Sequence, residues 1–226
     1  MVDYELKEIL PNIFALKIED GYQRAMLFMR SQEHYESAFP EIKDKHFDIF
    51  FFMEKYRKWK GVEYFSYPDD WAGFNVPGNI IESCTKHVLD ARNGLFPTPY
   101  DYIMDSVISS IKSKIGSETK YYLLGVDNFN GRTMDHELAH GLYHVNDQYK
   151  ISAYELVLDL PKKIFEGMES ILLDMGYCDD VVCDEIQAYL STGLSPDMSK
   201  IRGIKKETKV FRENLKKYIH PIHKKV

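Results

Sequence analysis

Apolar residues recur along this chain at two spacings, and the switches between them mark its elements. Residues 3–20 read as one or two strands broken at Pro11, because proline has no N–H for a sheet ladder. Over 22–37 the apolar set includes Ala25, Met26, Phe28 and Met29, at three- and four-residue steps, which predicts a helix. A second helix is expected over 47–59, carrying Phe50, Phe51, Met53 and Tyr56, and then a strand over 62–67. Residues 67–78 are aromatic and punctuated by Pro68, Gly73, Pro77 and Gly78, so they read as a loop. Aromatics in such a loop either pin it to the core or wall a cleft. Helices follow over 79–91 and 100–115. Tyr121-Tyr122-Leu123-Leu124-Gly125-Val126 reads as a buried strand and 127–131 as a turn. Thr133 suits an N-cap and Asp135 the positive end of the helix that comes next. Further helices are expected over 152–160, 161–175 (with proline at its start), 181–191 and 204–218.

This order predicts an α+β protein whose second half is mostly helical. It implies one domain over 1–226, with an aromatic-rich α+β part (1–120) and a helical part (121–226). The small sheet, mixed or antiparallel, is expected to pack on the helix after the 121–126 strand. A formal charge of −6 argues against a nucleic-acid binder. That charge is uneven. From Lys200 onward ten Lys/Arg face only Glu207 and Glu213, which reads as a solvated amphipathic face. The start carries no basic-then-apolar leader, and no apolar run approaches the roughly 18 residues of a membrane span. The three cysteines, Cys84, Cys178 and Cys183, show no C-x-x-C spacing and read as reduced thiols of a cytoplasmic protein.

The chemistry concentrates in His136-Glu137-Leu138-Ala139-His140, an H-E-x-x-H pattern on a predicted helix. Histidines at i and i+4 share a helix face, so both imidazoles can reach one metal ion. The glutamate between them points about 100° round the helix, where it can take a proton from a metal-activated water. A catalytic zinc site needs a third protein ligand. His144 lies eight residues beyond His136, about 12 Å along a continuous helix at roughly 1.5 Å per residue. The metzincin arrangement would need glycine where Tyr143 stands and histidine where Asn146 stands, so that pattern fails. Glu185 is the better candidate, on a downstream helical stretch, and Asp184 is its rival or the group that orients a ligand histidine. Cys183 is either a ligand or a small buried residue. Glu155, Glu166 and Glu169 read as exposed helix positions.

The run from Thr133 to His144, followed by Asp184-Glu185-Ile186-Gln187-Ala188-Tyr189, resembles the zincin metallopeptidases of gluzincin type. The H-E-L-A-H-x-x-x-H stretch is also similar to the ImmA/IrrE peptidases. The resemblance covers about 70 residues, 121–190. It implies a zincin-like fold, one Zn²⁺ per chain held by His136, His140 and Glu185, and Glu137 as general base. The expected activity is hydrolysis of a peptide or protein substrate, with no nucleic-acid or membrane partner. Tyr143, His144, Tyr149 and Tyr189 are candidate donors to the oxyanion. The 121–126 strand would pair with an extended substrate if it lay at a sheet edge. Ligand types alone also admit a metal-binding regulator without peptidase activity, or a non-peptidase metal enzyme such as an amidase or an Fe(II) enzyme.

Overall fold

The computed structural model describes residues 2–90 and 94–223, with side chains to residue 219. Ala91, the expected end of one helix, and Lys224 and Lys225 of the basic stretch lie outside the described residues. The chain divides into two compact units, Met1–Phe129 and Asn130–Val226.

The first unit is built on a four-stranded sheet of order β1-β2-β4-β3, with β1 Glu5–Leu10, β2 Ile13–Lys17, β3 Phe74–Pro77 and β4 Tyr122–Val126. β1 and β2 form a hairpin around Pro11 and Asn12. Asn12 takes a positive φ of 64° there, which asparagine tolerates better than most residues. β2 runs parallel to β4 and β3 antiparallel to it, so the sheet is mixed. β4 is therefore an inner strand. Its backbone groups already pair on both sides, and the substrate-pairing role conditional on an edge position is excluded.

The helices of this unit are α1 Gly21–Glu36, α2 Ile49–Lys60, α3 Tyr67–Asp70, α4 Gly78–Leu89 and α5 Pro99–Ile115. α1 packs against β3, α3, α4 and α5, and every residue from Arg24 to Glu33 is buried. Its polar members hold partners, as burial demands. Arg30 donates to Asp101 (3.0 Å), the Phe47 carbonyl (2.8 Å) and the Phe96 carbonyl (3.2 Å). Asp101 also caps α5 by accepting from the Thr98 backbone and hydroxyl.

The strand expected over 62–67 does not form, and the expected loop after it holds α3 and β3. The Ser66 carbonyl accepts from the Asp69 and Asp70 N–H groups in a short helical turn instead, and the Ser66 hydroxyl donates to the Asp70 carboxylate at 2.8 Å. Tyr67 is fully buried against Phe52, Tyr56 and Phe65, so the aromatics of this segment pin it to the core.

Gly125 fixes how closely α1 approaches the sheet. A Cβ there would lie 2.5 Å from the Phe28 ring, which itself stacks on Phe74 at 5.6 Å. Gly125→Ala is expected to destabilise the protein by about 3 kcal/mol, the upper part of the overpacking range, because neither ring can swing into solvent. Denaturant titration measures this, and an unchanged midpoint contradicts it.

The second unit is helical: α6 Arg132–Val145, α7 Asp147–Leu158, α8 Lys162–Met175, α9 Val182–Thr192 and α10 Ile204–His223. α9 is central, packed by α6, α7, α8 and α10. Two starts differ from expectation. α6 begins one residue before Thr133, after Gly131, whose φ of 109° suits glycine and makes the turn into the helix. α7 begins five residues early, because the Asn146 side chain caps the Tyr149 N–H at 2.9 Å. No helix among the described residues is long and apolar enough to cross a membrane.

Candidate metal centre

α6 buries Met134, Leu138 and Leu142 at four-residue steps, and the neighbouring face carries His136, Glu137 and His140 against α9. α9 is buried along most of its length, including Glu185 at 2 % exposure and Gln187 at 0 %. An apolar environment is costly for these polar groups unless each finds a partner, so their contacts report what the site is built for.

The Nε2 atoms of His136 and His140 lie 3.3 Å apart. Glu185 sets one carboxylate oxygen 3.5 Å from His140 Nε2 and the other 3.7 Å from His136 Nε2. Around a four-coordinate ion with bonds of about 2.0–2.1 Å, ligand atoms stand roughly 3.3–3.4 Å apart. The three side chains therefore match a zinc-sized gap with little adjustment.

The proton positions follow from the outer partners. His140 Nδ1 faces Asp184 Oδ1 at 3.0 Å, and a carboxylate only accepts, so Nδ1 carries the hydrogen. His136 Nδ1 faces the Thr192 hydroxyl at 3.3 Å. That hydroxyl already donates to the Ala188 carbonyl at 2.7 Å, so it accepts from Nδ1. In the neutral rings that ligation requires, both Nε2 atoms are then left with lone pairs that converge. Glu185 Oε2, buried beside them, has no hydrogen-bond partner among the described residues. Two facing lone pairs and an unsatisfied buried carboxylate oxygen call for a cation between them. Burial opposes charge on His140. Asp184, Glu185 and Glu137 outweigh it and hold the imidazole well above its usual range, so the field at the site favours positive charge, which a proton on Nε2 supplies until a metal ion takes its place.

Asp184 is thus placed to orient His140 rather than to join the ligand triangle. It also accepts from Gln187 Nε2 at 2.8 Å, and Gln187 Oε1 accepts from the Tyr149 hydroxyl at 2.6 Å. A chain Tyr149–Gln187–Asp184–His140 results, buried except at the half-buried Asp184. Neither Gln187 nor Thr192 stood out in the sequence. Their signal is spacing on α9: Gln187 is three residues after its partner Asp184, and Thr192 is seven after Glu185 on the face turned to the histidines.

The remaining candidates separate. Glu137 is buried on α6, outside the ligand triangle but close enough to bias both His140 and Tyr189. The Tyr189 ring packs 4.6 Å from that of His136. Burial pushes its phenol pKa up, and Glu185 adds to the shift. Tyr143 lies on the Asp184 and Cys183 side, with Lys150 over its ring at 5.4 Å. Tyr149 spends its hydroxyl on Gln187. α6 continues unbroken past His144, which stays half-buried and outside the cluster. Cys183 is half-buried and also outside it. Glu155 and Glu166 are exposed and Glu169 is half-buried. At the far end, Arg132 on α6 donates to the Leu194 carbonyl at 2.6 Å and lies against Gly193, just past α9. The chain matches no protein-family model, no curated protein and no solved structure among those compared with it.

Proposed function

We propose that this chain is a zinc-dependent peptidase of zincin-like fold that hydrolyses peptide bonds with Glu137 as general base. The observation that carries the reading is the convergence of two imidazole lone pairs and an orphaned buried carboxylate oxygen, with a second glutamate one residue after the first histidine. His136, His140 and Glu185 would hold the ion. Zinc bound there supplies a Lewis acid and lowers the pKa of water at its open position towards roughly 7.

The protein's own groups do the rest. Glu137 takes a proton from the attacking water and returns it to the leaving amine. The Tyr189 hydroxyl, on the side of His136, serves as the donor to the developing oxyanion. Asp184 holds His140 in the tautomer that presents Nε2. The three cysteines are free thiols, which fits a cytoplasmic protein.

Two histidines and a carboxylate also suit Fe(II), so the test begins with the metal. Protein purified without chelator is analysed for elements and offered a peptide library. The expected result is zinc in the protein and cleavage that is lost with chelator and restored by zinc. Bound zinc without cleavage of any peptide would replace this reading with a silent metal-binding protein, and bound iron with an Fe(II) enzyme.

A further inference from the structure

A second group of metal-ligating side chains lies in the first unit, outside the centre just described. It joins three segments that are distant in sequence: His34 near the end of α1, His46 in the connection between α1 and α2, and Cys84 on α4. One donor atom from each of the three lies within 4.8 Å of the other two. His46 stacks between two other imidazoles, 5.0 Å from His34 and 3.7 Å from His87, with interplanar angles of 16° and 12°.

His34 is oriented as metal-ligating histidines usually are. Its Nδ1 stands 2.9 Å from the Lys45 carbonyl, which can only accept, so Nδ1 is the N–H and Nε2 bears the lone pair. Cys84 is 3 % exposed and lines a cavity of about 10 Å³ with Arg30, Lys45, His46, Phe47 and Val88. That is room for a single water-sized group. The nearest buried cation, Arg30, is neutralised by Asp101 at 3.0 Å.

We propose that His34, His46 and Cys84 form a second metal site, selective for a soft or borderline ion such as Zn²⁺. Two imidazoles and a thiolate suit such ions and disfavour Mg²⁺ and Ca²⁺. As the sulfur–metal bond forms, the Cys84 thiol releases its proton to solvent. Neutral ligands and one thiolate leave a bound Zn²⁺ with a net charge of +1. His87 keeps the His46 ring in place by stacking, and a water completes four-coordination. The bound ion ties α1, the segment before α2 and α4 together.

The probe is Co²⁺ titrated into the full-length protein, because a thiolate bound to Co²⁺ gives an intense near-ultraviolet charge-transfer band that an all-nitrogen and oxygen site does not. The expected result is one equivalent of band-forming Co²⁺, displaced by Zn²⁺. The band should disappear in Cys84→Ser, persist in the Cys178→Ser/Cys183→Ser double variant, and persist in Glu185→Ala, which separates this site from the one in the second unit. His46→Gln, at a half-exposed position, should weaken Co²⁺ affinity at least tenfold, and it decides the matter if Cys84→Ser does not fold. A wild-type protein without the band, or unchanged Co²⁺ affinity in His46→Gln, overturns the proposal.

Discussion

Glu137→Gln is expected to cut peptide hydrolysis by about 10²- to 10⁴-fold, the span that general acid–base groups contribute, while bound zinc stays at the wild-type level. Glu137 sits on the motif helix beside His136 but outside the His136–His140–Glu185 triangle, so its loss removes no ligand. Glutamine matches its shape in a position only 5 % exposed, so packing is kept and the carboxylate alone is lost. The pair of measurements is metal content and kcat/KM on one cleaved peptide. Hydrolysis at the wild-type rate would assign the proton to another group. Zinc loss together with activity would mean that Glu137 supports the ligands.

Glu185→Ala is expected to abolish tight zinc binding, a larger effect than the 10–100-fold typical of losing an outer hydrogen-bond partner. Among the described residues, only Glu185 presents a carboxylate oxygen to each histidine. Zinc at a hundredfold excess over its Kd should stabilise the wild-type unit by about 2.7 kcal/mol and the variant hardly at all. Thermal melts with and without zinc read both arms. A zinc-induced shift that survives in Glu185→Ala would assign the third ligand to Asp184 or His144.

The long elements were legible because burial leaves a period in the sequence. The motif helix, the strand before it and the helices at 22–37, 100–115 and 161–175 all appear within a residue or two of their expected places. β3 was not legible. Four residues, Phe74-Asn75-Val76-Pro77, are too short to show alternation, and the glycines and prolines around them mimic a loop. The converse error at 62–67 shows the limit of propensity: β-prone residues there pair with no strand, and Tyr67 is taken into α3.

At the candidate centre, the i, i+4 histidines were readable because helix geometry alone brings them together. The choice among His144, Asp184 and Glu185 was not, since it depends on how α9 is rotated against α6. The outer groups Gln187 and Thr192 escaped notice for a related reason. A glutamine and a threonine are ordinary on a helix until the neighbour they serve is known.

α6 and α9 are held at three points: by the His140–Asp184 and His136–Thr192 contacts within their span, and by Arg132 bonded to the Leu194 carbonyl past their other end. A helix pair pinned in this way has little room to slide or rotate. The donor atoms therefore wait at nearly their final spacing, and an arriving ion has few side chains to immobilise. Its binding then carries only a small ordering entropy, and the two helices should keep the same relative placement before and after the ion enters.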